Sequence, residues 1–145
     1  MKRFVLLTGL LLLAYAASAL PKGKIRIEIT PDRAGDWCYS VGDSVAYDVA
    51  VTVDGKPLKN ASVKYTFARE KMPAYETCEA TLPEGRIRVR TAGMTCPGFL
   101  TCRVFLLDEK GATVANDLAQ AAFEPEKLRP MTDMPDDFTA FWGQA

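Results

Sequence analysis

Few side chains in this 145-residue chain could do chemistry, and histidine is absent altogether. Serine and cysteine hydrolases need an imidazole whose pKa lies near neutrality, and histidine is also the commonest transition-metal ligand. The chain has four serines, none in the G-x-S-x-G setting of a nucleophile elbow: Ser18, Ser40, Ser44 and Ser62. Since C-x-x-C spacing is also absent, we predict no catalytic residue, no bound cofactor and no metal site.

Four cysteines are the remaining reactive groups, and in an exported chain they can form disulfides. An extended run between Cys96 and Cys102 would hold their Cα atoms farther apart than the roughly 4.4–6.8 Å of a disulfide. Cys78 and Cys96 are out of register on the hairpin that residues 83–85 are expected to turn. The expected bridges are therefore Cys38–Cys96 and, between facing sheets, Cys78–Cys102. A single bridge or free thiols remain alternatives.

Two groups of side chains could bind a ligand. Trp37 and Tyr39 could stack on pyranose rings, although such a pair more often fills the end of a β-sandwich. In "RIRVRT" three guanidiniums alternate with apolar residues and so share one strand face: Arg86, Arg88 and Arg90. They could bind carboxylates of an anionic glycan such as a uronic-acid-bearing xylan. A solvated outer face balanced by Glu28 and its neighbours is the alternative.

Runs of alternating apolar and polar residues supply the frame for these groups. In "KIRIEIT" (24–30) the isoleucines fall on one face and the charged residues on the other, as in a half-buried strand. Seven such runs occur: 24–30, 44–53, 61–70, 77–82, 86–91, 99–108 and 112–125. With turn residues between them, they predict an all-β immunoglobulin- or fibronectin-like sandwich of about seven antiparallel strands over residues 20–128.

Residues 1–19 have the pattern of a secretory signal peptide. Lys2 and Arg3 precede an apolar run shorter than the ~20 residues that span a bilayer, and Ala17-Ser18-Ala19 fits a cleavage site. We predict cleavage after Ala19 and a secreted or periplasmic protein that leaves the membrane. Without Lys2 and Arg3, 16 basic residues face 18 acidic ones, so we expect no nucleic-acid partner.

The segment 129–145 is predicted to be a linker and the start of a helix. Pro135 suits the first helical position, and the two aspartates after it lie near the positive end of the helix dipole. Phe138, Phe141 and Trp142 then fall on one stripe, at i, i+3 and i+4. A helix this short is marginal alone, so its stripe should pack either on the sandwich or on a further domain.

Four segments together resemble the N-terminal region of secreted bacterial acetylxylan esterases, the cephalosporin-C deacetylase-like enzymes of carbohydrate esterase family 7. They are "GDWCYSVGDSVAYDVAVTVDGKPLKNASVKYTFAREKMP", "GMTCPGFLTCRV", "AAFEPEKLRP" and "MPDDFTAFWGQA". The resemblance covers about residues 24–145. It implies an immunoglobulin-like domain followed by an α/β-hydrolase domain, which becomes the expected partner of the aromatic stripe. The family's serine, acid and histidine would all lie after Ala145, so no catalytic residue carries over.

Two functional hypotheses follow. In the first, the chain is the non-catalytic N-terminal accessory domain of an exported carbohydrate acetyl esterase, whose parent activity hydrolyses acetyl esters on xylan or oligosaccharides. Its partners would be its own hydrolase domain and acetylated xylan or oligosaccharide. In the second, it is a free-standing secreted binding module for polysaccharide or a protein. Either way, the chain alone is expected to be inert.

Overall fold

The structure, a computed structural model, describes residues 22–129 together with 135, 136, 138, 142 and 143. The described part contains nine strands and one 3₁₀ turn. The strands are β1 Ile25–Pro31, β2 Cys38–Tyr39, β3 Val45–Val53, β4 Lys56–Pro57, β5 Ala61–Arg69, β6 Ala74–Leu82, β7 Arg86–Thr91, β8 Gly98–Leu107 and β9 Thr113–Phe123. The prediction of an all-β sandwich is confirmed. The seven predicted runs correspond to the seven long strands, and β2 and β4 are additional two-residue strands.

The strands form two sheets. In the first, β3 pairs with β1, β4 and β7; the second has the order β2-β9-β8-β5-β6. Every pair is antiparallel except β2 with β9, where Cys38 lies beside Ala122 and Tyr39 beside Phe123 in parallel register. The seven predicted strands pair only in antiparallel fashion, as expected. The one parallel pair involves the unpredicted strand β2, which forms where the chain crosses to the second sheet between β1 and β3.

The turn at residues 83–85 does not make a hairpin. β6 belongs to the second sheet and β7 to the first, so this turn carries the chain from one sheet to the other. Gly85 adopts φ 76°, and its N–H donates to the carbonyl of Leu82 at 3.2 Å. Turn residues of this kind can connect two strands of one sheet or two strands of different sheets. Here the flanking strands β6 and β7 lie in different sheets and close the sandwich on one side.

The core lies between the two sheets and is built from alternate residues of the central strands. On β3, Tyr47, Val49 and Val51 are buried while Asp48 points outward. The facing sheet contributes Val63, Phe67, Leu100, Cys102, Val104 and Leu106. Among the described residues, every buried side-chain nitrogen or oxygen has a hydrogen-bond partner. The sandwich therefore has a complete core of its own.

The strands define two ends of the sandwich. β9 finishes at Phe123, beside the first residue of β8, Gly98. We call this the exit end; it comprises residues 32–44, 70–73, 92–97 and 124–129, together with the strand residues that adjoin them. The other end comprises residues 54–60, 83–85 and 108–112. The chain enters the first strand at that other end, since Ile25 pairs with Val53.

On the side of β9 that faces away from β8, only β2 pairs with it, and β1 of the first sheet lies nearby. β2 covers only its last two residues, where the N–H groups of Ala122 and Glu124 donate to carbonyls of β2 or the residue before it. Leu118 has the same parity, so its N–H faces the same side. That N–H donates to Oδ1 of Asp117 at 2.8 Å instead of to another strand.

Candidate functional site

An apolar cleft of about 370 Å³ opens at the exit end, between the start of β6 and the segment 92–97. We call it the exit cleft. Its lining includes Met72, Pro73, Tyr75, Ala92, Met94 and Leu100. Met72 and Tyr75 are 61% and 54% exposed, whereas Met94 and Leu100 form its buried floor. Because its lining is mostly apolar, the cleft suits a hydrophobic side chain. It does not offer the convergent acids, bases or nucleophiles of a catalytic site.

Close backbone packing holds the wall of the exit cleft in place. The N–H of Gly42 donates to the carbonyl of Met94 at 2.9 Å. A Cβ on Gly93 would lie 1.6 Å from the carbonyl oxygen of Asp43, so only glycine fits there. These two contacts tie the segment 92–97 to the turn before β3.

Hydrogen bonds between the two sheets orient Tyr75. Its hydroxyl lies 3.2 Å from Oγ1 of Thr91, whose own hydroxyl donates to Oε2 of Glu76 at 3.1 Å. The Sγ of Cys78 donates to the other oxygen of Glu76 at 3.7 Å. This chain of contacts joins β6 to the end of β7. The phenol is therefore anchored at its polar tip while the ring remains exposed at the cleft.

The four cysteines are thiols in this structure, so the predicted bridges are absent. Cys78 lies opposite Tyr65 on one side of β5, and Cys102 lies opposite Phe67 on the other side. Two strand spacings of ~4.8 Å separate them, which exceeds the reach of a disulfide. The pair was expected on facing sheets, and that expectation is wrong because β6, β5 and β8 share one sheet.

The predicted bridge between Cys38 and Cys96 is likewise not formed. Cys38 is half-buried in β2, and Cys96 is exposed in the segment 92–97. Cys102 is fully buried, and desolvation raises the pKa of its thiol to about 12. That thiol is therefore an inert part of the core and not a nucleophile.

Trp37 and Tyr39 differ in their surroundings. Tyr39 is buried and its ring stacks on Phe123 at a centroid distance of 5.3 Å, so the core-packing interpretation is confirmed for it. This burial leaves no open ring face for a sugar. Trp37 is 51% exposed, so the expectation that it fills the end of the sandwich is wrong. It adopts φ 56°, and its indole N–H donates to the carbonyl of Ala34 at 3.0 Å.

The three arginines of β7 lie exposed on the outer face of the first sheet. Arg88 is 3.5 Å from Oδ2 of Asp48 and 3.8 Å from Oδ2 of Asp32. Arg86 and Arg90 lie opposite alanines of β3. A shallow groove beside them is lined by residues that include Glu28 and Asp48, so the face carries charges of both signs. Their contact with an anionic glycan remains a prediction.

The C-terminal aromatic stripe is described only in part. Phe138 is 44% exposed and Trp142 is 61% exposed, and their ring centroids are 6.3 Å apart. The N–H of Phe138 donates to the carbonyl of Pro135 at 3.0 Å. Phe141 lies outside the described residues, as do most of the predicted linker and helix and the predicted signal peptide. The interdomain role of the stripe stays a prediction.

Two further properties can be stated for the residues that the structure describes. No group of three or more cysteine, aspartate or glutamate side chains converges in a way that could hold a metal ion. No helix among these residues has both the length and the apolarity to cross a membrane.

The exit cleft was not predicted from the sequence. Met72, Tyr75 and Met94 come from two separate segments that lie at turns and strand ends, where no hydrophobic periodicity marks them. The one available signal is the combination of methionine, proline and tyrosine at "KMPAY", a set that is unusually apolar for a connection between strands.

Comparison with known proteins shows a similarity in sequence to an acetyl esterase. No protein-family model matches the chain. Acetyl esterase Axe7A of Xylanibacter ruminicola is 32% identical over 114 residues, which cover 79% of this chain and 25% of that protein. The chain thus spans about a quarter of the length of the curated relative that it matches. The chain is therefore related to an acetyl esterase.

Two solved structures show a weaker likeness. A family 76 glycoside hydrolase from a bovine Bacteroides thetaiotaomicron strain matches 71% of this chain and 21% of its own, with 11% identity and a TM-score of 0.42. A conjugate transposon protein from Bacteroides vulgatus matches 77% of this chain and 94% of its own, with 10% identity and a TM-score of 0.44. Neither likeness is close enough to bear on function.

Proposed function

We propose that this chain is the non-catalytic N-terminal accessory domain of an exported carbohydrate acetyl esterase. The observation that carries the proposal is the 32% identity to an acetyl esterase over 114 residues, a match confined to a quarter of that protein. The immunoglobulin-like character of the sandwich and its place ahead of an α/β-hydrolase domain belong to the proposal. The parent protein would hydrolyse acetyl esters on xylan or oligosaccharides.

The composition of the chain supports a role without catalysis. Serine-based ester hydrolysis needs a base to accept the serine proton, and this chain has no histidine to provide it. Within the described part of the chain, the buried side-chain nitrogen and oxygen atoms are already hydrogen-bonded, and burial raises the pKa of the Cys102 thiol so that it stays protonated. The domain would therefore serve by positioning or stabilising the hydrolase domain that carries the reactive groups.

A direct test compares the chain with the polypeptide that its gene encodes as a whole. The nucleotide sequence after codon 145 should continue in frame into a hydrolase domain. Residues 20–145 alone should release no 4-nitrophenol from 4-nitrophenyl acetate above a heat-inactivated control. The full-length protein should release it, and should also release acetate from acetylated xylan. Turnover by residues 20–145 alone, or an inactive full-length protein, would contradict the proposal.

A second function is favoured by one observation, the exposure of Trp37. Trp37 is 51% exposed at the exit end, and a sugar-stacking platform requires an exposed aromatic residue. The exposed arginines of β7 could add contacts to uronic acids. In this proposal the domain binds acetylated xylan. Affinity electrophoresis in xylan gels should then retard the domain, and Trp37→Ala should restore free migration. Equal migration of both proteins with and without xylan would remove this function for that glycan.

A further inference from the structure

Exposed apolar side chains are concentrated at one end of the sandwich. The exit end exposes Trp37, Met72, Tyr75 and Leu128, each by 44% or more. The other end, residues 54–60, 83–85 and 108–112, exposes no large apolar side chain, and half of its exposed residues are charged: Asp54, Lys56, Lys59, Glu84, Glu109 and Lys110. Met72 and Tyr75 both line the exit cleft, and a contiguous apolar surface of this kind often marks a contact site, whereas single exposed side chains such as Trp37 and Leu128 require no partner. The exit end is therefore the end suited to contact with another protein surface.

We infer that the exit cleft is the docking site for the hydrolase domain that follows the sandwich, and that it receives an aromatic or long aliphatic side chain of that domain. This inference rests on the proposed function and adds to it the surface through which the two domains meet.

The path of the chain brings the following domain to this cleft. Leu100, in the floor of the cleft, pairs with Ala121, two residues before β9 ends. Phe123 then pairs with Gly98, and the side chain of Met94 fills the space beside Gly98. The linker therefore starts at the same end of the sandwich as the cleft. A domain tethered by a short linker has a high effective concentration at such a site.

The chemistry of the lining selects an apolar occupant. Two methionines, a proline and a tyrosine dominate it, and thioethers make favourable contacts with aromatic rings. Arg69 is the only charged residue among those that line it. The hydroxyl of Tyr75 is already engaged with Thr91. Few polar groups thus remain to form hydrogen bonds with the hydroxyls of a sugar. A leucine, methionine or aromatic side chain needs no such bonds, and its transfer from water into the cleft is favourable.

Site-specific crosslinking in the full-length protein tests the inference directly. Met72 is replaced by the photoreactive residue p-benzoyl-phenylalanine, and after irradiation the crosslinked peptides are mapped by mass spectrometry. The matched control carries the same replacement at Val114, which is 43% exposed on β9 near the other end of the sandwich. Crosslinks from position 72 to the hydrolase domain of the same chain are expected, at roughly tenfold the yield found at position 114.

Other crosslinking results would overturn the inference. Equal yields at the two positions, or no crosslink at position 72, would mean that the hydrolase domain does not sit on the cleft. Crosslinks between isotopically labelled and unlabelled copies would mean that a second copy of the chain occupies it.

A charge placed in the cleft gives an independent measurement. Met72→Asp should make the Lys127–Leu128 bond in the linker roughly tenfold more susceptible to trypsin, because the two domains then separate. Val114→Asp should leave the cleavage rate unchanged. Equal rates of trypsin cleavage in the wild type and Met72→Asp, with esterase activity intact, would contradict the docking inference and leave the proposed function unaffected. If the full-length protein has no hydrolase domain, both fall together.

Discussion

The hydroxyl of Tyr39 donates a hydrogen bond of 2.6 Å to Oδ1 of Asp32. This bond fixes the loop after β1 against β2, at the exit end. The guanidinium of Arg33 covers the Tyr39 ring at 4.7 Å from its centroid and is 2.9 Å from Oδ2 of Asp43. Burial, and then the bond to Asp32, raise the pKa of Tyr39 to about 12. The same bond is the largest cause that lowers the pKa of Asp32.

Tyr39→Phe should destabilise the domain by about 1–2 kcal/mol, because it removes a hydrogen bond to a carboxylate while keeping the ring stacked on Phe123. The free energy of unfolding from urea titrations at neutral pH measures this loss. A variant as stable as the wild type would contradict it.

In the same variant, Tyr39→Phe, the free energy of unfolding should depend less on pH in the acid range than it does in the wild type. The pKa of Asp32 is lower in the folded state than its ordinary value of 3.8. Its contribution to the free energy of unfolding is therefore fully present above that ordinary value. The contribution is lost as the pH falls through the lowered folded-state pKa. The free energy of unfolding should therefore decline between about pH 5 and pH 2 in the wild type and less steeply in Tyr39→Phe. Identical slopes would show that the bond to Tyr39 does not set this pKa.

The cysteines should differ widely in reactivity. In the native protein at about pH 8, iodoacetamide should modify exposed Cys96 first and leave buried Cys102 untouched, because the pKa of Cys102 is raised to about 12. Denaturation should make all four thiols reactive. Peptide mapping without a reducing agent measures both states. A Cys78–Cys102 peptide, or equal modification rates of Cys96 and Cys102, would contradict this arrangement.

Gly93→Ala should cost about 2–3 kcal/mol, because the new methyl group would lie 1.6 Å from the carbonyl oxygen of Asp43. Gly35→Ala is the matched control, since a Cβ there meets nothing within 4 Å. Thermal unfolding of both variants measures the difference. Similar melting temperatures for the two would show that the segment 92–97 does not pack against the turn before β3.

Phe67→Ala should destabilise the sandwich by about 3–5 kcal/mol, because it leaves a cavity at the centre of the core. Phe67 is fully buried, and its ring centroid lies 6.0 Å from that of Tyr47 and 5.7 Å from that of Tyr65. Phe105→Ala, on the outer face, should cost about 1 kcal/mol and serves as the control. Denaturant titrations of both variants test the ranking.

Much of the strand content was predictable because it depends on local signals. The alternation in β1 and β3 has a period of two, and glycine, proline and aspartate mark the turns between strands. The two short strands were missed because two residues carry no period. β2 in particular exists only because the end of β9 offers its edge to Cys38 and Tyr39.

The assignment of strands to sheets was not predictable in the same way. The turn at residues 83–85 has the residues of a hairpin turn, yet it connects the two sheets. The expected position of Cys78 relative to Cys102 failed for a related reason, since pairing partners depend on contacts far apart in the chain. The exit cleft brings Tyr75 of β6 next to Met94 of the connection between β7 and β8, and no local sequence pattern encodes this contact.

The carboxylate of Asp117 has a consequence for self-assembly. It accepts a hydrogen bond from the N–H of Leu118, a donor that another strand could otherwise bind on the side of β9 that faces away from β8. It also places a negative charge where an incoming copy would have to desolvate it. A side chain of β9 itself thus removes one of the backbone donors through which a second copy could pair with this strand.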